Sequence, residues 1–385
     1  MSLLSADFRN GHCYGMFPVC CCAVAILFLS VLPYSLYAGN VTPAKDLPAY
    51  YSSVNNQSGL ELFKKISTIS IAGYQSLGYD GLISAYQTTD VYPKGHSRAG
   101  QIWDMYGECG SFKSGTCGNY QKECDCWNRE HSIPKSWFGD KKNNAGCDIF
   151  HVVPTDGKVN NARGNLDFGE VGSNVTYSYN GNKVGTSVSA VTTDRKTIAT
   201  VAGGKASASG LKVYEPLDEY KGDFARGYFG TLVHWYTSYD FTSGNSTFSC
   251  VRSVSASNYF GFTAYGVALL MKWHREDPVS QKEIDRNNGI QQTQGNRNPF
   301  IDYPYLAEYI WGERAGERVD MAHLISSSDA RFLPGESSGW IEDITAIEET
   351  VKEPKAQKTL INGKIYILLY GHYYNLTGQK VSISE

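Results

Sequence analysis

The residues best equipped for chemistry lie between 128 and 171, NREHSIPKSWFGDKKNNAGCDIFHVVPTDGKVNNARGNLDFGEV. Glu130 sits beside His131, and the run DGKVNN placing Asn160 follows about thirty positions later. Hydrolysis of a phosphodiester asks for three things: an activated water, neutralised charge on the phosphate, and a stabilised leaving oxygen. An imidazole titrates near neutral pH and can take the proton from water, which suits His131. Glu130 and Asn160 offer hard oxygen ligands for Mg2+, Ca2+ or Mn2+, with the remaining positions left to water and phosphate.

Such a set converges only if local elements carry it. The pattern predicts a strand ending at Glu130-His131, a loop, a second strand over IFHVV, and a helix starting near Asp156. Asp156 can act as N-cap, which puts Asn160 in the first turns of that helix, and Thr155-Asp156-Gly157 suits the strand-to-helix turn. This is a ββα-metal arrangement. Each residue also has a plainer reading: Glu130-His131 as a surface dipeptide, Asn160 and Asn161 as capping or solvated residues, His151 as a hydrogen-bonded core histidine, and Lys141-Lys142 as a solvated loop pair.

The segments NREHSIPKSWFG, DIFHVVPTDGKVNNARGN and FGEV resemble the bacterial endonuclease I family, in its extracellular form. The resemblance continues through LISAYQTTDV and IWDMY upstream. Downstream it includes DEYKGDFARGYF, LLMKWHREDPVSQKEIDRNNGIQQTQGNRNPFIDYP and EYIWG, so it runs from about Tyr50 to Gly312. It implies a metal-dependent, sequence-nonspecific endonuclease acting on DNA and possibly RNA and leaving 5′-phosphate ends. Glu130 and Asn160 would be the metal ligands, His131 the general base, and His151 the residue orienting the catalytic loop. The family also places an arginine on the phosphate. Arg129, Arg163, Arg226 and Arg297 are candidates, Arg163 being preferred because it follows Asn160 by three residues and shares its helix face. Lys135 joins Arg129, Arg226 and Arg297 as an expected nucleic-acid contact. The pattern departs at Phe150, where a histidine often stands, and QGNRNPF (294–300) is either a phosphate or sugar contact or a structural turn docked on the finger.

With 385 residues, 42% of them hydrophobic and 13% aromatic, the chain can bury a large core. Its 35 basic against 38 acidic residues give a net charge of −3, so a polyanionic partner needs a local basic patch. The run FPVCCCAVAILFLSVL (17–32) follows Arg9, ends at Pro33 and is shorter than the roughly 20 apolar residues of a membrane span. It therefore reads as a signal peptide over 1–38, with no membrane span after cleavage and a secreted, cell-surface or periplasmic product. Six cysteines remain beyond it. Cys109, Cys117, Cys124 and Cys126 cluster in a Gly/Ser-rich stretch, as disulfides or alternatively as four zinc thiolates whose spacing does not match paired C-x-x-C knuckles.

Helical spacing of apolar residues predicts helices within 60–79, over YDGLISAYQTTD, and at 223–239 and 258–276, while 172–210 reads as strands with NGN and GG turns. The stretch 90–126 reads as ordered loop. The expected fold class is α+β: a ββα-metal core within a mainly helical catalytic domain (39–314), followed by a linker and small β-rich C-terminal hairpin appendage (315–385). The partners implied are DNA or RNA substrate, with no stable protein partner. A rival reading is a noncatalytic exported protein that holds nucleic acid or calcium on the same fold.

Overall fold

The computed structural model describes residues 46–342, apart from 114, 117, 140–141, 202, 209 and 242–244, and the backbone of 357–361, 364–369, 372–374 and 380–381. The expected signal segment 1–38, Cys117 and Lys141 lie outside the described residues. No described helix is long and apolar enough to cross a membrane.

The fold is α+β, as composition and patterning predict. Its centre is α5 (Lys221–Trp235), whose side chains are buried along nearly the whole length. A helix surrounded on all sides needs apolar or small residues nearly all round, and KGDFARGYFGTLVHW supplies them apart from Asp223, Arg226 and His234, each of which has a buried partner of opposite charge or a hydrogen bond. Against it pack α2 (Gly59–Ile71) and α6 (Ala264–Glu276). Thr263 caps α6 by accepting from the Gly266 amide at 3.0 Å. Phe229 of α5 stacks on Trp311 with ring centroids 4.6 Å apart, and Phe262 and Phe300 meet it edge-on. The short α8 (Pro299–Asp302) and α9 (Leu306–Ile310) close this aromatic core, while α1 (Leu47–Tyr51) buries Leu47 and Tyr51 at its edge.

A second, smaller core lies beneath α3 (Gly78–Thr89) and α7 (Gln281–Thr293). The helix α7 carries no apolar period that the sequence reveals, because its inward face is polar: Glu283, Arg286, Asn287 and Asn288 are all buried. What defines it instead is a capping box, with Ser280 and Glu283 each accepting from the other's backbone N–H.

The strands form small sheets. β1 (Trp127–His131) pairs antiparallel with β2 (Val152–Asp156), and α4 (Gly157–Arg163) follows directly. A four-stranded sheet has the order β3 (Asp167–Phe168), β8 (Lys212–Glu215), β5 (Asn182–Ser187), β4 (Val171–Tyr179); β3 runs parallel to β8 and the other pairs are antiparallel. The β4–β5 turn needs two residues with positive φ, which Asn180 (45°) and Gly181 (96°) provide. β6 (Ala190–Thr192) pairs with β7 (Lys205–Ser207). Near the C-terminus β9 (Gln357–Ile361), β10 (Lys364–Leu369), β11 (His372–Tyr374) and β12 (Lys380–Val381) form a four-stranded antiparallel sheet, larger than the expected hairpin.

Residues 315–342, assigned from sequence to the appendage, fold back on the main body. Val319 exchanges backbone hydrogen bonds with Asn56 and Gln57, and Trp340 stacks on Tyr305. Because Phe229 is fully buried among rings, Phe229→Ala should cost about 3–5 kcal/mol of stability. A urea titration should show this as a lowered midpoint with an unchanged slope.

Candidate functional site

The β1–β2 hairpin and α4 carry the sequence-predicted cluster. Trp127 stands opposite Asp156 and His131 opposite Val152. The second strand starts at Val152 rather than at Ile149, because Asp148 closes a turn there: its side chain accepts from the Phe150 amide and its carbonyl from the His151 and Val152 amides. Asp156 caps α4 as expected, accepting from the Val159 amide at 2.8 Å. Its other oxygen accepts from the Cys124 amide at 2.6 Å, and its own amide donates to Asp104 at 2.9 Å. Burial pushes the Asp104 carboxyl up to about 6. The Cys109–Cys124 disulfide joins the two ends of the loop wrapped around this cap, and Cys126 is disulfide-bonded as well. Bonded sulfurs cannot serve as zinc thiolates, so the four-cysteine zinc site is excluded.

Alternation along β1 separates its residues onto two faces. Asn128 and Glu130 face α4. There the Asn160 amide donates to Asn128 Oδ1 at 2.6 Å. The Arg163 guanidinium donates to Glu130 Oε1 at 2.7 Å and to the carbonyls of His131 and Ser132 at 2.8 and 2.6 Å. Tyr106 adds a hydroxyl to the same carboxylate oxygen at 2.8 Å. Burial raises the Glu130 carboxyl above its usual range, with Arg163 opposing the shift. Arg163 itself is 1% exposed. Its NH groups are taken up by Glu130 and the strand end, so it pins the helix to the strand instead of facing a phosphate.

Arg129 and His131 face the other way, toward α3 and the 3₁₀ turn Ala145–Cys147. The His131 ring is 8% exposed and lies parallel to Tyr79, with centroids 5.8 Å apart. Its Nε2 is 3.0 Å from the Gly146 carbonyl. A carbonyl only accepts, so the proton sits on Nε2 and the lone pair on Nδ1. Burial holds this imidazole down to about 3, assisted by the neighbouring His151. His151 repeats the arrangement one residue earlier: Nε2 donates to the Ala145 carbonyl at 2.7 Å, while its buried Nδ1 has no partner among the described residues.

The turn that presents these two carbonyls is anchored by Asp148. This fully buried carboxylate accepts from His234 Nδ1 at 2.8 Å, Trp235 Nε1 at 2.7 Å and Gln294 Nε2 at 2.9 Å. Burial alone would raise its pKa, but His234 and the surrounding donors more than offset that and hold it low. Gln294 also accepts from the Ile149 amide. The QGNRNPF segment is therefore a turn docked on the hairpin.

The remaining predicted residues disperse. Arg297 is buried in a two-pronged pair with Asp302, and Arg226 in one with Glu283, so neither reaches a substrate surface. Lys135 is exposed. The Arg129 guanidinium lies 3.6 Å above the Tyr79 ring and bonds the Tyr79 carbonyl at 2.6 Å and Asp80 at 3.2 Å. The supporting residues to which the sequence reading gave no role are Tyr79, Asp104, Tyr106, Asn128, Asp148 and His234. Asn128 had a signal, since it lies two positions before Glu130 on a strand. The others meet the site only through tertiary contacts.

Comparison with known proteins places this geometry in context. The family model described as Endonuclease I matches residues 55–305. The chain is 30% identical over 274 residues to an extracellular ribonuclease of Bacillus amyloliquefaciens, covering 70% of this chain and 81% of that protein. It is 28% identical over 278 residues to an extracellular ribonuclease of Bacillus subtilis (strain 168), covering 71% and 82%.

Burial lowers the His151 imidazole from the ordinary 6.5 to about 4. The unfolded chain then binds the His151 proton more readily than the folded one, so this term is fully stabilising above pH 6.5 and is lost as pH falls through about 4. Asp104, whose carboxyl is raised, contributes in the opposite sense over part of that window. The His151 term is therefore read as a difference: between pH 7 and 4 the wild-type melting temperature should fall more steeply than that of His151→Gln.

Proposed function

Since the chain belongs to the endonuclease I family, we propose that it is a secreted, sequence-nonspecific endonuclease hydrolysing phosphodiester bonds of RNA and DNA. His131 is its general base, and Glu130 with Asn160 holds the divalent ion. The observation that carries this reading is the Nε2 contact of His131 with the Gly146 carbonyl, because it leaves the lone pair on Nδ1; burial lowers the basicity of this imidazole, so tautomer and placement, not a neutral-range pKa, would make it the base. RNA is included because both relatives are named ribonucleases. Export accords with their extracellular designation, with the apolar run at 17–32, and with disulfides that need an oxidising compartment.

The donor set fits a hard cation. Asn160 spends its amide N–H on Asn128, which leaves the amide oxygen as its ligand atom. Glu130 bears a desolvation cost that an adjacent cation would offset. A bound Mg2+, Ca2+ or Mn2+ supplies Lewis-acid stabilisation of charge on the scissile phosphate and leaving oxygen. The chain does the rest. Arg163 and Tyr106 fix the Glu130 carboxylate, the Gly146 carbonyl fixes the tautomer of His131, and Nδ1 takes the proton from the attacking water. Arg129 takes over the phosphate contact expected of Arg163, since its side chain is 17% exposed and its pairing partner Asp80 is 97% exposed. Contacts restricted to the backbone of the substrate give little sequence preference.

The test is nicking of plasmid DNA and digestion of RNA by purified protein, with and without EDTA. EDTA should abolish cleavage. His131→Ala should cost on the order of 100- to 10,000-fold in rate while nucleic-acid affinity is retained, and Asn160→Ala should raise the metal concentration required. Binding of nucleic acid with no EDTA-sensitive cleavage would point to the noncatalytic binding protein.

A further inference from the structure

Tyr79 lies outside every motif that identifies the site, yet its ring touches both residues that β1 sends to that face. It stands at the start of α3, which packs against α7 and against the 145–147 turn holding His131. Its ring is parallel to the His131 imidazole within 12°, at 5.8 Å between centroids. The Arg129 guanidinium lies over the same ring at 3.6 Å. Arg129 is tied in turn to the Tyr79 carbonyl and to Asp80, so α3 and β1 are joined across this ring by a cation–π contact and two hydrogen bonds.

Resting on the proposed role of His131, we propose that Tyr79 is the positioning residue of the general base. The Gly146 contact constrains one nitrogen of the imidazole but leaves the ring able to rotate about the Nε2 to carbonyl direction. A parallel aromatic wall removes that freedom, because turning the imidazole out of plane would break the stack. The ring thereby fixes where the Nδ1 lone pair points. Arg129, resting on the same ring, is held beside the place where a phosphate must arrive. The aromatic face meets the imidazole, while the hydroxyl bears on Arg129, so phenylalanine should keep the base aligned and alanine should not. Alanine at this position keeps the backbone carbonyl and Asp80 that bind Arg129 but loses both ring and hydroxyl, so its difference from phenylalanine isolates the ring contribution.

Kinetics on a short oligonucleotide at saturating magnesium, with the wild type, Tyr79→Phe and Tyr79→Ala, provide the test. Tyr79→Phe should stay within about threefold of wild type, and Tyr79→Ala should lose about 10- to 100-fold in kcat with KM changed by less than about threefold, as expected when a reacting group is misaligned rather than removed. Long-range 1H–15N spectra of the metal-free protein give a second readout. His131 should show a single Nε2-protonated tautomer in wild type and Tyr79→Phe, and averaged nitrogen shifts in Tyr79→Ala. The proposal is overturned if Tyr79→Ala keeps its kcat, if Tyr79→Phe falls as far as Tyr79→Ala, if the loss merely tracks a lowered melting temperature, or if the His131 spectrum is the same in all three. Should His131→Ala cleave like wild type, the general-base reading fails by itself, while the spectra still decide whether Tyr79 holds the ring.

Discussion

The site depends on one buried guanidinium. Arg163, at the last turn of α4, reaches back across the hairpin to Glu130 and to two consecutive carbonyls at the end of β1. A charge this deep costs several kcal/mol to desolvate, and close pairing with an acid, together with the hydrogen bonds of both terminal nitrogens, offsets that, while the buried Nε has no partner among the described residues. Helix and strand therefore cannot move independently. Removing either partner would leave an uncompensated buried charge, a loss of about 3–5 kcal/mol in comparable cases. Everything proposed for Glu130 and Asn160 follows from that fixed spacing between α4 and β1.

Around this pin the protein invests polar contacts in backbone, not in side chains that meet substrate. Asp148 gathers donors from His234, Trp235 and Gln294 so that a 3₁₀ turn offers its carbonyls to His131 and His151. Asp156 and Asp104 do the same for the first turn of α4, with a disulfide fastening the loop that wraps them. Buried carboxylates surrounded by backbone and ring N–H donors are rigid, because each lost bond would strand a charge in a low-dielectric interior. Arg226 with Glu283, Arg297 with Asp302 and Arg286 with Asp90 extend this logic through α7 and α8. These pairs explain why a chain of slight negative charge carries arginines that never reach its surface.

Much of the architecture was legible in the residues themselves. The apolar spacing read within 60–79 and over 258–276 marked α2 and α6, each shorter in the fold than expected, and Asn180-Gly181 marked the β4–β5 turn. Asp156 declared itself as a cap, and Glu130, His131 and Asn160 stood out by type and spacing. α7 stayed hidden, since a helix that buries arginine and asparagine produces no apolar stripe. The burial of Arg163, preferred from sequence as the phosphate arginine, stayed hidden for a related reason: sequence registers a positive charge but not whether an acid lies buried beside it.

What the sequence determined alone is therefore local: most of the helices and strands, where α4 begins, and which side-chain types stand at the candidate site. Those properties follow from backbone preference and side-chain type within a few residues. The tertiary structure decided orientation and environment. It set Glu130 and His131 on opposite faces of one strand, protonated His131 on Nε2 through a carbonyl fifteen positions away, buried Arg163, and laid Tyr79 against the imidazole from a helix about fifty positions earlier. Charge, tautomer and ring orientation depend on which atoms replace water around a group, and those atoms come from segments whose meeting only the folded chain fixes.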